Sequence, residues 1–309
     1  MMTLLYLPCL VVLALAVDLP TAAEDAGSCG PVSGVATGSL LQSTATHRPT
    51  RTPQQIGFTK TATSSQVRFV FFAGLEGSGH HFWHEMIKRL PINRSEDLSR
   101  ALFDGQHGGF FNADEHSRGD YAEDIAKLMS EMEMNLSSTP GCKVVALNGV
   151  EPQVSGMMSY PNMGGKDRAG RNPDIFALAK LAEAAGVDLR IVLLTRHPES
   201  MVQSMCERNY EKDVAHAVRE VAMTISLLSE QLELLDPSYV ACWTYEDPGA
   251  KILELLSFMG ICDADPSLSR QIVEEIYKPS NHPALSKAAS EMLETSTHIH
   301  ESLLAKWCS

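Results

Sequence analysis

The residues best suited to chemistry form a glycine-rich turn after an apolar run. Residues 67–72 are mostly apolar and predict a buried strand. Gly74, Gly77 and Gly79 stand within six positions of one another, and a helical pattern begins at His80. A strand, a glycine loop and a helix N-terminus can together hold an anion, because the backbone approaches closely and unpaired N–H groups point at it. No Gly-Lys-Ser or Gly-Lys-Thr triplet follows, so the turn is not a Walker loop for ATP or GTP.

A second apolar run ends in an arginine. Residues 189–195 predict another buried strand, and Arg196 follows it directly. Pro198 begins a helix, and Ser204 lies about two turns along it. Because ligands of open parallel sheets bind at the carboxyl ends of the strands, the guanidinium and the hydroxyl can bind one phosphate group there. The alternative is that Arg196 pairs with a surface carboxylate and Ser204 is merely tolerated in the helix.

These two segments, together with a third, resemble the sulfotransferase superfamily. Residues 74–81 are similar to the loop that binds the 5′-phosphosulfate in that family. Residues 196–204 match its 3′-phosphate motif, with arginine and serine eight positions apart. Residues 240–260, with a Tyr-Glu-Asp triplet after a strand, are similar to a further strand–helix segment of the family. The resemblance covers about residues 67–261.

The resemblance implies a fold, a donor and a set of binding residues. The fold is α/β, a three-layer arrangement in which helices flank a parallel sheet, as in P-loop NTPases. The donor is 3′-phosphoadenosine 5′-phosphosulfate, whose sulfuryl group passes to an acceptor hydroxyl with no metal required. The residues expected to hold its 5′-phosphosulfate are Gly74, Gly77, Ser78, Gly79, His80 and His81. Arg196 and Ser204 are expected to hold its 3′-phosphate.

The catalytic base is the least defined part of this hypothesis. Glu151 follows a predicted strand, in a region where family members often carry a catalytic histidine or carboxylate. An exposed loop glutamate explains that position equally well. His80, His81 and His107 are the other candidates for accepting the hydroxyl proton.

One position departs from the family pattern. Many members have Lys or Arg where Gly77 stands, so this loop carries no permanent cation. A bound phosphosulfate would raise the pKa of His80 and His81, and an imidazolium would then supply the charge. The alternative is that the two histidines are polar groups that cap the helix and meet solvent. Arginine at position 77 should restore the charge, provided that the backbone there does not need a positive φ.

Composition indicates one large domain and limits its partners. The 309 residues are 44% hydrophobic, which is enough for a single α/β core. The net charge of −13 and the lack of a basic run argue against nucleic acid. The expected partner is a hydroxyl-bearing acceptor, with carbohydrate favoured over protein tyrosine or a small alcohol. The alternatives are a secreted relative that keeps the fold but has lost catalysis, and a P-loop nucleotide kinase.

The N-terminal part of the chain predicts entry into the secretory pathway. Residues 1–17 read as a signal peptide or short signal anchor, residues 18–66 as a flexible stem, and residues 67–309 as the sulfotransferase-like domain. Glycosylation triplets begin at Asn93 and Asn135. Of the seven cysteines one lies in the leader, and the remaining six permit disulfides. We therefore expect a location in the Golgi lumen or membrane, or secretion, with membrane contact only through an N-terminal anchor.

The segments between the motifs predict further strand–helix units. Residues 143–148 predict a third parallel strand, and residues 172–185 predict a helix that a glycine ends. Residues 213–235 predict the clearest helix, with one apolar stripe that we interpret as core packing. Residues 103–118 and 160–171 predict irregular loops that border an acceptor pocket.

Overall fold

A parallel sheet lies at the centre of the protein. The computed structural model describes residues 66–75, 77–93, 127, 142–147, 175–184, 186–208, 213–262, 264–279 and 282–308. Within these residues the strands are β1 (Val67–Ala73), β2 (Val144–Leu147), β3 (Asp188–Thr195) and β4 (Val240–Thr244). They pair in parallel in the order β2-β1-β3-β4. Their carboxyl ends therefore share one edge of the sheet, where the glycine turn follows β1 and Arg196 follows β3.

Helices follow the strands along the chain. In the part of the chain that the structure describes, the helices with given bounds are α1 (His80–Arg89), α2 (Ile175–Ala184), α3 (Pro198–Glu207), α4 (Val214–Leu232), α5 (Ile252–Phe258), α6 (Pro266–Ile276) and α7 (Lys287–Trp307), with a 3₁₀ turn at Pro237–Tyr239. The helices predicted after the glycine turn and after Arg196 are both present. Gly186 has a φ of 68° just beyond α2, as suits the glycine predicted to end that helix.

The helices cover both faces of the sheet, so the protein has three layers. Phe69 and Phe71 of β1 pack with α2, α3, α4 and α7, whereas Val70 and Phe72 pack on the opposite face with α1, α5 and α6. Successive residues of a strand point to opposite faces, so a strand buried on both faces is apolar throughout. Each of these four side chains is fully buried, which stabilises the fold by about 1.5–3 kcal/mol per side chain. The predicted fold class is confirmed.

The apolar stripe predicted for residues 213–235 packs in the core, as we interpreted it. Its buried members within α4 are Val218, Val221, Ile225, Leu228 and Leu232. The Asp213 side chain caps the helix by accepting a hydrogen bond of 2.7 Å from the His216 N–H. The helix ends before Leu235, which is nevertheless buried in the following turn.

Disulfides tie distant parts of the chain to the sheet. Cys142–Cys262 joins the start of β2 to the segment after α5, and Cys242–Cys308 joins β4 to the end of α7. Cys206 in α3 is disulfide-bonded as well. In the part of the chain that the structure describes, no helix combines the length and apolar character needed to cross a membrane. The predicted leader and the loops at 103–118 and 160–171 lie outside the described residues, as does the predicted stem apart from Gln66.

Candidate functional site

A cavity of about 600 Å³ opens where the three sequence motifs meet. Gly77, Gly79, His80 and His81 contribute one part of its lining, Arg196 and Ser204 of the second motif another, and Tyr245 of the third motif a further part. The structure thus brings together six of the eight residues that were expected to bind the donor. The other two, Gly74 and Ser78, do not line the cavity.

Glycines at two loop positions are required by the backbone and by close neighbours. Gly77 has a φ of 84° and Gly79 a φ of 124°, values that L-residues rarely adopt. A Cβ on Gly77 would lie 3.1 Å from the Met201 carbonyl oxygen, and one on Gly79 would lie 2.3 Å from the Trp243 ring. The backbone at position 77 does need a positive φ, so the condition for placing an arginine there is not met. The substitution would strain the loop and press on α3.

Ser78 stabilises the loop instead of facing the cavity. Its hydroxyl donates to the Leu75 carbonyl oxygen at 2.6 Å, and its N–H donates to the same oxygen at 3.0 Å. The residue is fully buried, and a Cβ on Gly74 would lie 2.5 Å from its Oγ. We expected Ser78 and Gly74 to touch the phosphosulfate, but the structure places the Ser78 hydroxyl inside the turn, where Gly74 leaves room for it.

The N-terminus of α1 supplies hydrogen-bond donors to the cavity. Gly79 is the N-cap, no side chain caps the helix, and its first turn has no acidic residue. The first N–H groups of a helix lack partners within the helix and carry the positive end of its dipole. Because Gly79, His80 and His81 line the cavity, an anion bound there meets these donors.

Arg196 is a buried cation held on several sides. Its Nη1 donates to the Gly77 carbonyl oxygen at 2.7 Å, and its guanidinium lies 4.2 Å from the centre of the Tyr245 ring. Its Nη2 lies 3.2 Å from Nε2 of His282. Burial lowers the pKa of Arg196, and nearby Tyr245 and Glu246 oppose that shift, so the group stays charged. The cavity therefore contains a fixed positive charge beside the glycine loop.

The Tyr-Glu-Asp segment after β4 positions Arg196 and its neighbours. The Tyr245 N–H donates to the Thr195 carbonyl oxygen at 2.9 Å, and the Glu246 carboxylate accepts from the His197 N–H at 2.8 Å. Both contacts are to residues adjacent to Arg196 in the chain. The third motif therefore holds the second in place, in addition to lining the cavity with Tyr245.

Ser204 lies beside the glycine loop on α3. It is 5% exposed and lines the cavity. A Cβ on Gly77 would lie 3.3 Å from its Oγ, so the loop and α3 are in close contact. The predicted pairing of Arg196 and Ser204 at one cavity is thus present in the structure.

Sequence reasoning missed several residues of this site. Arg208 and Lys278 add two positive charges to the lining, Glu85 adds one negative charge, and His282 contacts Arg196. Arg208 stands four positions after Ser204, so helical spacing could have predicted that the two side chains lie on the same face. Lys278 and His282 come from the segment between α6 and α7, and no local pattern connects them to the motifs. Positively charged side chains thus outnumber negatively charged ones in the lining of the cavity, although the whole chain has a net charge of −13.

Burial opposes the charge that we expected His80 to supply. The residue is 5% exposed, and burial, with a smaller effect of His81, lowers its pKa to about 3. Its two buried ring nitrogens make no hydrogen bond within the described part of the chain. The pKa of the more exposed His81 is also lowered, first by partial burial and then by Arg208. The positive charge of the cavity therefore comes from Arg196, Arg208 and Lys278.

Acid should destabilise the protein through His80. Its pKa falls from 6.5 to about 3 on folding, so the unfolded chain binds the extra proton between those values and stability falls as the pH falls. At about 1.36 kcal/mol per pH unit, we expect a loss of about 2 kcal/mol between pH 6.5 and pH 5. Urea unfolding of His80→Gln should show a pH dependence smaller by that amount. His298→Gln, at an exposed position of α7, is the control, and identical pH dependence in His80→Gln and wild type would contradict the burial argument.

Two candidates for the catalytic base lie outside the described residues. These are Glu151 and His107, so the structure does not place them relative to the cavity. Glu85, one helical turn after His81, is a carboxylate that does line it. No group of three or more His, Cys, Asp or Glu among the described residues is arranged to hold a metal ion.

Comparisons with known proteins give a distant structural similarity. No family model matches the sequence, and no curated protein matches it. Among solved structures, the chain is similar to the sulfotransferase domain of the Synechococcus olefin synthase, at 14% identity and a TM-score of 0.41. The match covers 76% of this chain and 94% of that one.

Proposed function

We propose that this protein is a sulfotransferase that uses 3′-phosphoadenosine 5′-phosphosulfate. One observation carries the proposal: Arg196 and Ser204 line the same cavity as the uncapped N-terminus of α1. In proteins a helix N-terminus can bind an anion, and so can an arginine side chain. Their presence in one cavity suits a ligand with two separate anionic groups, and this donor has a phosphosulfate on one side of its ribose and a phosphate on the other.

In this proposal the cavity binds the donor and stabilises the leaving group. The N–H groups at the start of α1 would hold the 5′-phosphosulfate, and Arg196 and Ser204 would hold the 3′-phosphate. The acceptor oxygen attacks sulfur in line, the bond from sulfur to the bridging phosphate oxygen breaks, and the hydroxyl proton passes to a base. Arg208 and Lys278 would stabilise the charge that develops on the phosphate, in place of a loop lysine.

We propose that the base that accepts the hydroxyl proton is one of the sequence candidates or a further residue that lines the cavity. Glu151, His80, His81 and His107 are the sequence candidates, and Glu85 joins them because it lines the cavity. A pKa of about 3 makes His80 a weak base, which favours His81 or a carboxylate. Comparison of kcat among Glu85→Gln, His81→Gln, His107→Gln and Glu151→Gln, at saturating donor, would identify the residue by the largest loss.

Donor binding tests the proposal directly. We expect isothermal titration to show that 3′-phosphoadenosine 5′-phosphate binds about a hundredfold more tightly than adenosine 5′-phosphate, because only the former places a phosphate on Arg196. Transfer of sulfate from the labelled donor to a carbohydrate, tyrosine-peptide or small-alcohol acceptor should follow, and we propose carbohydrate as the preferred class. Tight binding without any transfer would indicate a fold that has lost catalysis. Preference for ATP would indicate a nucleotide kinase instead.

We also propose that the protein enters the secretory pathway. The disulfides Cys142–Cys262 and Cys242–Cys308 support this, since such bonds persist in oxidising compartments. Asn93, which begins one glycosylation triplet, is exposed. Protein from a eukaryotic secreting host should lose mass on deglycosylation, and Asn93→Gln should remove part of that mass. An unglycosylated product in the cytosol would contradict this location, and an intact N-terminus in membranes would indicate an anchor.

A further inference from the structure

The guanidinium of Arg196 is oriented by contacts of two kinds. The guanidinium carbon lies over the Tyr245 ring, 4.2 Å from its centre, so the ring restrains one side of the group. Two acceptors at its edge, the Gly77 carbonyl oxygen at 2.7 Å and His282 Nε2 at 3.2 Å, set its rotation within its own plane. A forked contact to phosphate depends on this rotation, because both N–H groups of the fork must point at the oxygens together.

The chemistry of the two groups determines the direction of the bond between them. A guanidinium only donates, so Nε2 of His282 must accept from Arg196. The ring proton of a neutral histidine then lies on Nδ1, which is 2.6 Å from a carboxylate oxygen of Glu207. Glu207 can accept this proton's hydrogen bond and therefore selects the tautomer that Arg196 requires. The His282 side chain is 12% exposed, whereas that of Glu207 is 59% exposed.

We propose that His282 is a positioning residue for Arg196, and that Glu207 sets its tautomer. The inference rests on the proposed function, since the phosphate to be recognised is the donor's 3′-phosphate. Glu207 lies in α3 one turn after Ser204, so the same helix carries the hydroxyl of the site and the carboxylate that orients His282. The pair therefore couples the two expected phosphate ligands, Arg196 and Ser204, to the segment between α6 and α7.

The segment that carries His282 has anchors that do not involve its ring. The Gln203 side chain donates to the Pro283 carbonyl oxygen, and the Tyr245 hydroxyl donates to the Lys278 carbonyl oxygen at 2.9 Å. A change of the His282 side chain should therefore leave the segment in place. This makes the positioning role separable from a role in folding.

The test compares variants that keep or remove the acceptor. His282→Gln retains an oxygen that can accept from Arg196, whereas His282→Leu has no acceptor. Titration with 3′-phosphoadenosine 5′-phosphate should show about a tenfold loss for the leucine variant and at most about a threefold loss for the glutamine variant. Binding of adenosine 5′-phosphate should change less than about twofold in both. His298→Leu removes the histidine of an exposed His–Glu pair on α7 and is the matched control.

Glu207 supplies a second, independent measurement. Glu207→Ala should weaken binding of the same ligand by about threefold, and the double variant with His282→Leu should lose no more than His282→Leu alone. Additive losses would overturn the coupling. Equal losses in the leucine and glutamine variants, or tighter binding in the leucine variant, would overturn the positioning role of His282. If wild type itself fails to prefer the ligand with a 3′-phosphate, the proposed function fails and this inference fails with it.

Discussion

Replacement of Arg196 by alanine should weaken binding of 3′-phosphoadenosine 5′-phosphate by about 2–4 kcal/mol, or about 30- to 900-fold in Kd. The reason is that this guanidinium is buried and prearranged, so the ligand does not have to order it. Adenosine 5′-phosphate, which lacks the 3′-phosphate, should lose far less. Isothermal titration of both ligands against both proteins measures the difference.

Two further variants separate charge, geometry and fold in this experiment. Arg196→Lys keeps a positive charge but cannot form a fork, so its affinity should fall between those of wild type and alanine. Arg270→Ala, at an exposed position of α6, should bind both ligands as wild type does. Equal losses of the two ligands in Arg196→Ala would contradict the assigned role. They would indicate that Arg196 serves mainly to hold the glycine loop through the Gly77 carbonyl.

The parts of the fold that follow from local patterns were predictable from sequence. The apolar run 67–72 predicted a strand buried on both faces, and its neighbours in the sheet have the same character. The direction of a parallel sheet then places the glycine turn and Arg196 at one edge, whatever the details of packing. The sequence motifs therefore predicted that these two elements, which we propose bind anions, meet at one cavity.

What the sequence did not show depends on burial depth, on side-chain rotation and on contacts between segments far apart in the chain. His80 was expected to be a cation, but its pKa depends on how deeply the first turn of α1 is buried. Ser78 was expected to face the ligand, but a rotation of its side chain directs the hydroxyl to Leu75. Lys278 lines the cavity and His282 contacts Arg196, both from a segment more than eighty residues after Arg196, and no periodicity in the sequence links them to it.

Replacement of Gly79 by alanine should have the largest effect on the fold of the site. The new Cβ would lie 2.3 Å from Cζ3 and 2.8 Å from Cη2 of Trp243, and the φ of 124° is itself strained for alanine. Trp243 cannot move away easily, because it is 2% exposed and its indole N–H donates to the Pro248 carbonyl oxygen at 3.1 Å. We expect a loss of about 3–5 kcal/mol in the free energy of unfolding, measured with urea, together with loss of donor binding.

Gly186→Ala is the control that isolates the packing contribution to this loss. Gly186 also has a positive φ, of 68°, but a Cβ there would have no atom within 4 Å, so it should cost only about 1 kcal/mol of backbone strain. Trp243→Phe removes the two ring atoms that the Gly79 Cβ would meet most closely, and of the three nearest atoms leaves only Cδ2 of Tyr245, at 3.2 Å. If that overlap causes the loss, Gly79→Ala should cost less in the Trp243→Phe background than in wild type. Equal costs in the two backgrounds, or a Gly79→Ala protein as stable as Gly186→Ala, would mean that the loop shifts freely. A freely shifting loop would not preorganise the N–H groups of α1 for an anion, so this comparison also tests why the glycines of the turn are needed.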